Sequence, residues 1–411
     1  MRCISRPDGD EAAGMGDKAN SRLLESCRRD AVEWTRELVR RNSENPPGRE
    51  LDCIRWCGDI LRGLGMEASV DEFAPGRANL TAFAGDRNQL GIVFNGHIDT
   101  VPAKDGWDDP PFDAVLRDGC IWGRGSADMK SGCAAMMAAA KYVLQAGLEL
   151  KRGFALTLVA DEECVNRGAL RLQRTTPLSA DACIVCEPTQ LQIHYGNRGF
   201  TSYYIRTYGK SCHGCEPRRG VNAIYKMARV LVKLEQFAAE FSRRTNPQLG
   251  EASMSVGTIR GGTSLNTVPD FCEIELEARV FPGMRADGIC RELQELLGGE
   301  AAVSVRSELP ASLVPLDSGI VRIAGECVRA ATGRDAVAAK FPACSEASFF
   351  SEGYGIPTVL LGPGDIGCAH KANEHVPVEE IRQAVDIYAM LMEAYSVRMK
   401  NQKEVSTDEH S

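Results

Sequence analysis

Short apolar runs recur in the first half of the chain, and helical stretches separate them. Residues 90–94, 154–160 and 182–185 are almost entirely hydrophobic, which is typical of strands buried on both faces of a sheet. Residues 23–39 and 51–64 carry apolar positions at helical spacing. Alternating strands and helices of this kind predict an α/β domain with a mainly parallel sheet covered by helices.

After about residue 194 the pattern changes to strands in which every second position is apolar. Residues 200–208, 253–259 and 271–280 have this alternation, whereas residues 221–241 and 286–297 have helical spacing. This order of elements predicts an inserted two-layer α+β domain, ferredoxin-like in type, with an antiparallel sheet.

The same patterns predict where the domains begin and end. We predict a catalytic domain over residues 21–196 and 309–400, and an inserted domain over residues 197–308. Residues 1–20 are polar and contain glycine, so we expect a frayed N-terminal segment. Residues 401–411 are also polar, and we expect them to form a tail.

Acidic and histidine residues follow the predicted strands of the first domain. The carboxyl ends of strands are where an open α/β sheet keeps its active site. In an extended segment, side chains two residues apart share a face, so Asp99 lies on the same face as His97. A carboxylate beside a metal-bound imidazole can accept the proton on the far ring nitrogen. The residues with this potential are His97, Asp99, Asp128, Glu162, Glu163, Glu187 and His370.

Each candidate taken alone also has a structural interpretation. His97 fits a core histidine, Asp128 fits a helix N-cap, and Glu162 with Glu163 fits a solvated corner. Isolated motif matches are weak hypotheses. The occurrence of all these residues in one chain favours a site that holds a pair of metal ions.

Two segments around these residues carry a specific signature. Residues 95–102 read Asn-Gly-His-Ile-Asp-Thr-Val-Pro, and residues 122–130 read Trp-Gly-Arg-Gly-Ser-Ala-Asp-Met-Lys. They closely resemble the signature of the co-catalytic zinc aminoacylase and carboxypeptidase family, the M20 metallopeptidases. The resemblance extends over residues 43–378, most of the chain. It implies a zinc hydrolase fold with an inserted lid and dimerisation domain, and an activity on amide bonds.

The resemblance implies a role for each candidate ligand. Asp128 is expected to bridge two zinc ions. His97 and Glu187 are expected to complete one zinc site. Glu163 and His370 are expected to complete the other. Nitrogen and oxygen ligands of this kind suit zinc, and cobalt or manganese are possible substitutes.

The resemblance also implies a mechanism in which a metal-bridged hydroxide attacks the carbonyl carbon. Glu162 is expected to be the general base, which takes a proton from the bridging water and delivers it to the leaving amine. Asp99 is expected to be the partner of His97. Family members usually have a cis peptide bond after the bridging aspartate, which is here the bond from Asp128 to Met129.

Further residues match the family outside the metal signature. His213 resembles a lid histidine that reaches the partner subunit's site and stabilises the oxyanion, which implies a homodimer. Asn266 and Arg279 match residues that bind the substrate carboxylate, a task to which a guanidinium is well suited. Glu346 is expected to shape the substrate pocket. Taken alone, the first three positions also fit an exposed histidine, a turn asparagine and a surface-paired arginine.

The choice of substrate rests on fewer residues. A glycine-proline-glycine run at residues 362–364 resembles the acetylornithine deacetylase branch of the family, and acidic Glu346 and Glu374 could attract the basic side chain of ornithine. We therefore predict a small N-acyl amino acid as substrate, with acetylornithine favoured. Cys368 and Asn373 depart from the residues that this branch often has. The succinyl-diaminopimelate desuccinylase branch and the aminoacylase or carboxypeptidase branches stay open.

Composition excludes several classes of function. The chain has 411 residues, 44% of them hydrophobic, with a net charge of -8 and no long apolar span. These values predict a globular protein of two domains that binds neither nucleic acid nor membrane. The N-terminal segment lacks the apolar core of a signal peptide, so we expect a cytoplasmic location.

Two different classes of function stay open beside the hydrolase. Among the 16 cysteines, Cys183 with Cys186 and Cys212 with Cys215 have the spacing of a zinc-ribbon interaction module. The first pair falls in a buried strand, which disfavours a ribbon. A catalytically inactive metal-binding relative is the other alternative. An intact Glu162 argues against it, because a protein without turnover has no need of an unliganded base.

Overall fold

The computed structural model describes residues 9–397. Its first helix, α1, spans Gly9–Arg40 and so begins inside the segment that was expected to be frayed. That segment is polar, but it also contains alanine, glutamate and lysine, which favour helices. Residues 1–8 and the predicted tail over residues 401–411 lie outside the described residues.

Eight helices and twenty strands order this part of the chain, and none of the helices is both long and apolar enough to cross a membrane. The helices after α1 are α2 (Leu51–Gly63), α3 (Ser131–Gln145), α4 (Arg167–Thr175), α5 (Ala223–Phe241), α6 (Ala286–Leu297), α7 (Gly319–Thr332) and α8 (Val378–Met392). The strands are β1 (Glu67–Ala74), β2 (Arg77–Ala84), β3 (Leu90–His97), β4 (Val115–Arg117), β5 (Cys120–Trp122), β6 (Gly153–Val159), β7 (Ala180–Val185), β8 (Ile193–Asn197), β9 (Gly199–Tyr208), β10 (Cys212–His213), β11 (Thr245–Asn246), β12 (Gly250–Glu251), β13 (Ser253–Gly261), β14 (Thr267–Val268), β15 (Phe271–Val280), β16 (Ala302–Leu309), β17 (Ser312–Leu313), β18 (Ala338–Phe341), β19 (Thr358–Leu360) and β20 (His375–Pro377).

The described residues form two compact units, and each unit draws on more than one segment of the chain. Unit 1 contains most of the chain before residue 195 and most of the chain after residue 314. Unit 2 contains the segment between them and one short later segment. Unit 1 comprises residues 9–194, 315–339 and 353–397, and unit 2 comprises residues 195–314 and 340–352.

The segment 340–352 belongs to unit 2, whereas the predicted boundary places it in the first domain. Ser345 donates a hydrogen bond to Oδ1 of Asn197 at 3.1 Å. The Nζ of Lys340 donates to the main-chain oxygen of Leu249 at 3.3 Å. These contacts attach the segment through side chains that are far apart in the sequence, so periodicity along the chain does not reveal them.

Unit 1 is built on a sheet whose centre is parallel. Strands β6, β3, β7 and β19 lie side by side in parallel, whereas β1 pairs with β2 and β2 with β6 in antiparallel fashion. Strands β3 and β6 are buried along their whole length, as expected for parallel strands in the middle of an α/β domain. The helices α1, α3 and α8 pack against one another. The predicted α/β class with a mainly parallel sheet is confirmed.

Unit 2 is a two-layer α+β unit with an antiparallel sheet in the order β13-β15-β9-β16. In β15 buried and partly exposed residues alternate, and its buried Ile274 and Leu276 join Met227 and Val230 of α5 in one core. Helix α6 adds Leu293 to the same core. The chain order β9, α5, β13, β15, α6, β16 is the split βαβ arrangement of ferredoxin-like domains, in agreement with the sequence analysis.

A buried network of charged and polar groups lies beside the end of β6 in unit 1. Arg77 is 4% exposed, and its Nη2 lies 2.6 Å from a carboxylate oxygen of Glu50 and 2.7 Å from one of Asp161. The Nδ2 of Asn45 donates to Asp161 and to Asp99, each at 2.9 Å. The network therefore ties the segment after α1 to the loop after β6.

Replacing Arg77 by leucine is expected to destabilise the fold strongly. The change leaves the carboxylates of Glu50 and Asp161 buried without this cation, which costs about 3 to 5 kcal/mol. Urea denaturation followed by circular dichroism measures the change in the free energy of unfolding. The control is Arg55→Leu, since Arg55 is exposed and contacts Glu72 at 3.5 Å, a pair worth less than about 1 kcal/mol. Equal effects of the two substitutions would contradict the structural role of Arg77.

Candidate metal centre

Four of the candidate residues lie where the central strands of unit 1 end. His97 is the last residue of β3 and pairs with Val159, the last residue of β6. Glu162 and Glu163 follow β6, and Glu187 follows β7. Because β6, β3 and β7 are parallel neighbours, their carboxyl ends meet at one edge of the sheet. Pairing of the strands thus gathers residues that are up to 90 positions apart in the sequence.

Two further candidates come from irregular segments of unit 1. Asp128 lies in the turn Ser126–Lys130, which leads into α3, and its own backbone angles are not helical. Its peptide bond to Met129 is cis, as the family resemblance implied. His370 follows the short turn Ile366–Cys368 and has a positive φ of 62°.

The carboxylate of Asp128 lies between two imidazoles. Its Oδ1 is 3.0 Å from Nε2 of His97, and its Oδ2 is 3.4 Å from Nε2 of His370. The same nitrogen of His370 is 2.9 Å from Oε2 of Glu163. Ligand atoms of His97, Asp128 and Glu163 all lie within 4.8 Å of one another. A carboxylate with one oxygen towards each imidazole is placed as a ligand shared by two cations would be.

The acids of this cluster raise the proton affinity of both histidines. Burial opposes protonation of His97, but its hydrogen bond to Asp128 and the nearby charge of Glu187 raise its pKa well above the ordinary value. Hydrogen bonds to Asp128 and Glu163 raise the pKa of His370 to about 10. Burial and the charge of Asp128 raise the pKa of Glu163. A cluster with this surplus of negative charge fits divalent cations, and its nitrogen and oxygen donors suit zinc.

Asp99 lies beside His97, but its carboxylate has other partners. The Nδ1 of His97 is 3.0 Å from the main-chain oxygen of Asp99 and 3.7 Å from its carboxylate. The carboxylate accepts hydrogen bonds from the main-chain N–H groups of Glu162 and Glu163 at 3.1 Å, and from Asn45. The main-chain oxygen therefore orients the imidazole, which differs from the expectation, because the carboxylate is engaged in holding the loop after β6.

Glu374 is a residue of the site whose role the sequence did not reveal. It is 1% exposed, and its Oε1 accepts hydrogen bonds from the main-chain N–H groups of Ala127 and Asp128 at 3.0 and 3.1 Å. Its Oε2 accepts from the buried guanidinium of Arg124. Both oxygens of Glu374 thus bind donors of the protein, and its attraction for a basic substrate stays a prediction. Its position four residues after His370 was the available signal.

His213 and Asn266 are neighbours in unit 2. Strand β10 ends at His213 and pairs with β14, so that His213 lies opposite Thr267. The main-chain N–H of Gly214 donates to the main-chain oxygen of Asn266 at 2.7 Å. Both His213 and Asn266 therefore belong to one small ribbon, although 53 positions separate them in the sequence.

Arg279 lines a cavity within unit 2 and has protein partners on two sides. Its Nε is 2.8 Å from a carboxylate oxygen of Glu277, and its Nη1 donates to Sγ of Cys344 at 3.2 Å. The cavity has a volume of about 540 Å³, and Phe200 also lines it. Glu346, two residues after Cys344, is fully buried. These residues lie in unit 2, whereas all the candidate metal ligands lie in unit 1.

The two cysteine pairs do not make a metal site in the part of the chain that the structure describes. Cys183 and Cys186 are fully buried. The thiol of Cys212 donates to the main-chain oxygen of Glu216 at 3.4 Å. Over residues 9–397, the group of histidine, cysteine and acidic side chains close enough to hold a metal is the one around Asp128, and it contains no cysteine. The zinc-ribbon interpretation therefore has no structural support.

Sequence comparison matches the chain to a protein family and to individual relatives. The profile of Peptidase family M20/M25/M40 matches residues 93–394. Acetylornithine deacetylase of Vibrio vulnificus is 32% identical over 357 residues, which cover 83% of this chain and 91% of that protein. Acetylornithine deacetylase of Erwinia tasmaniensis is 29% identical over 384 residues, which cover 88% of this chain and 96% of that protein.

Solved structures share the fold at low sequence identity. The M20 family metallo-carboxypeptidase Sso-CP2 from Sulfolobus solfataricus aligns with a TM-score of 0.75 at 17% identity, over 89% of this chain and 99% of that chain. The YXEP protein of Bacillus subtilis, a dinuclear metal binding peptidase from the M20 family, aligns with a TM-score of 0.68 at 16% identity, over 89% of this chain and 98% of that chain. Because the family profile matches residues 93–394, well over half of the sequence, this chain belongs to peptidase family M20/M25/M40 and is a hydrolase of amide bonds.

Proposed function

We propose that this protein is a deacylase that hydrolyses the amide bond of an N-acyl amino acid, with N-acetylornithine as its substrate. The observation that carries the proposal is the position of the Asp128 carboxylate, with one oxygen towards His97 and the other towards His370. The choice of substrate is supported by relatives named acetylornithine deacetylase, the first of which aligns over 83% of this chain.

We further propose that the centre holds two zinc ions, for which cobalt or manganese can substitute. Asp128 would be the shared ligand. His97 and Glu187 would hold one ion, and Glu163 and His370 would hold the other. When bound, such ions polarise a scissile carbonyl and lower the pKa of the attacking water. Contacts of 3.0 to 3.4 Å between Asp128 and the two histidines support Asp128 as the shared ligand. The contact of 2.9 Å between Glu163 and His370 supports placing these two residues on the same ion.

Glu162 is the general base in this proposal. The side chain of the next residue, Glu163, contacts His370, and the charge of Glu162 acts on His97. The main-chain N–H of Glu162 donates a hydrogen bond to the carboxylate of Asp99 at 3.1 Å. This bond fixes the backbone position from which the Glu162 side chain extends. Glu162 takes a proton from the attacking water and gives it to the leaving nitrogen, because an amine leaves only after protonation.

The residues of unit 2 are proposed to recognise the substrate. Arg279 would bind the α-carboxylate in place of Glu277, since a guanidinium pairs bidentately with a carboxylate, and Asn266 would donate a further hydrogen bond. His213 would donate a hydrogen bond to the oxyanion. The buried carboxylate of Glu346 would add negative potential that favours a basic side chain. The cavity of about 540 Å³ beside Arg279 supports the first of these assignments.

A homodimer formed through unit 2 is also proposed. Strand β13 lies at the edge of its sheet, and the neighbouring α5 exposes Tyr225 and Val232, at 68% and 56%. A groove of about 440 Å³ between them is lined by apolar side chains, among them Leu231, Met254 and Val256. A sheet edge beside exposed apolar side chains is a surface that a second copy of the chain would cover.

N-acetylornithine is expected to give the highest kcat/KM in a panel of substrates assayed with zinc or cobalt. The panel includes N-acetylnorleucine, whose neutral side chain has a similar length, as well as other N-acetyl amino acids, N-succinyl-diaminopimelate and dipeptides. Glu346→Gln should lower kcat/KM about tenfold for N-acetylornithine, because it removes the attraction for the ammonium group, and should spare N-acetylnorleucine. A dipeptide as the best substrate would contradict the deacylase proposal.

Glu162→Gln is expected to lower kcat by about 10² to 10⁴, because the variant lacks the proton acceptor. Metal analysis of the purified protein should find the same metal content as in the parent, since Glu162 is not a proposed ligand. Glu163→Gln is the matched control and should lose metal, because the side chain of Glu163 contacts His370 in the centre. Full turnover by Glu162→Gln would exclude it as the base.

Mixing two inactive variants tests whether the active site is shared between subunits. His213→Ala and Asp128→Asn are each expected to have little activity. After subunit exchange the mixture should recover about a quarter of the parent activity, because half of the dimers are hybrids and each hybrid has one intact site. Exchange is verified with differently tagged subunits. No recovery after verified exchange would contradict a shared site.

A further inference from the structure

A cysteine thiol contacts the imidazole of His213 in unit 2. The Sγ of Cys215 lies 2.9 Å from Nδ1 of His213, and the main-chain N–H of Cys215 donates to the same nitrogen at 3.2 Å. Both residues are exposed. The proposed reaction uses the imidazole of His213 but makes no use of the neighbouring sulfur.

These two contacts determine the tautomer of the neutral imidazole. A ring nitrogen that accepts a main-chain N–H carries no proton of its own, so the ring proton of neutral His213 is on Nε2. In its contact with Nδ1 the thiol of Cys215 must then be the donor. The nitrogen Nδ1 is therefore a base that faces the thiol proton, and Nε2 keeps an N–H that the ring can donate elsewhere.

The loop around this pair is held in place by its main chain. The N–H of Gly214 donates to the oxygen of Asn266 at 2.7 Å, and the N–H of Glu216 donates to the oxygen of His213 at 3.0 Å. A Cβ at Gly214 would lie 2.9 Å from the oxygen of Asn266, so glycine permits the close approach. The sulfur of Cys215 and the imidazole are thus positioned before any reagent arrives.

The surroundings of Cys215 differ from those of Cys164, the other exposed cysteine among residues 9–397. The thiol of Cys164 donates to the main-chain oxygen of Asn45 at 3.7 Å. A carbonyl oxygen accepts a hydrogen bond but does not remove a thiol proton, whereas an imidazole does both. The chain therefore contains an exposed thiol beside a base and an exposed thiol without one.

We propose that Cys215 is a reactive thiol activated by His213, and that it is a site at which peroxides modify this protein. The Nδ1 of His213 accepts the thiol proton while the sulfur attacks one oxygen of hydrogen peroxide. The O–O bond breaks, the sulfur is oxidised to a sulfenic acid, and the departing hydroxide takes the proton to become water.

The effect of this oxidation on turnover rests on the proposed role of His213 as a donor to the oxyanion. The sulfenic acid places an oxygen atom between the sulfur and Nδ1, which are 2.9 Å apart in the thiol form. One of the two contacts that Nδ1 makes with Cys215 is thereby replaced. Oxidation of Cys215 therefore lowers kcat by displacing the imidazole, and it leaves the metal ligands of unit 1 untouched.

The reactivity of the thiol is tested without measuring turnover. The full-length, metal-loaded protein is treated briefly with iodoacetamide, and the labelling rates of Cys215 and Cys164 are measured by peptide mass spectrometry. Cys215 is expected to react about tenfold faster than Cys164, and His213→Asn should slow it about tenfold, because an amide hydrogen-bonds but does not take the proton. The rate at Cys164 should stay the same. An unchanged rate at Cys215 in His213→Asn would overturn the proposal.

A second measurement follows activity after treatment with hydrogen peroxide. The parent is expected to lose most of its activity, whereas Cys215→Ser should keep most of its own untreated activity, and Cys164→Ser should be as sensitive as the parent. A Cys215→Ser variant that is as sensitive as the parent would overturn Cys215 as the site of modification. If His213→Asn has full turnover, the proposed function of His213 fails, while the labelling rates still decide whether it activates Cys215.

Discussion

The candidate metal centre depends on the orientation of one buried carboxylate, that of Asp128. This side chain meets two histidines that are supplied by elements far apart in the chain, so a small rotation would break contact with both. Its main chain is held by Glu374, which accepts the N–H groups of Ala127 and Asp128. Glu374 is itself buried, and a buried carboxylate is tolerated only when it is well paired. Arg124 supplies the charge that this requires.

The loop after β6 is likewise held by a buried carboxylate that accepts main-chain N–H groups. Asp99 accepts the main-chain N–H groups of Glu162 and Glu163, so this carboxylate determines where the side chains of two candidate site residues begin. Asn45 links Asp99 to Asp161. In both loops, buried acids that bind main-chain N–H groups position the candidate ligands, and the side chains of these residues stay available for cations and protons.

The sequence predicted the central sheet because its strands are apolar runs, and the order of strands and helices implies parallel pairing. It also indicated the acids after β6 and β7 as candidate ligands, because each follows such a run. It did not reveal the roles of Glu374 and Asn45. These residues act on main-chain groups and on side chains more than 50 positions away. The spacing of apolar residues along the chain gives no information about such contacts. The early start of α1 was hidden because a polar helix and a polar coil have similar compositions.

The two units contribute different kinds of chemistry. In the proposed function, the candidate ligands of unit 1 would account for hydrolysis of an amide, and they would make no distinction between one acyl amino acid and another. In unit 2 the candidate recognition groups already have partners, since Arg279 pairs with Glu277 and His213 contacts Cys215. A substrate must therefore exchange these contacts for its own. Displacing Glu277 is favourable only for a ligand that brings a carboxylate in return, because a neutral group would leave the guanidinium without its charge partner. In the proposed function, selectivity for acyl amino acids would then arise from the contacts that the protein gives up.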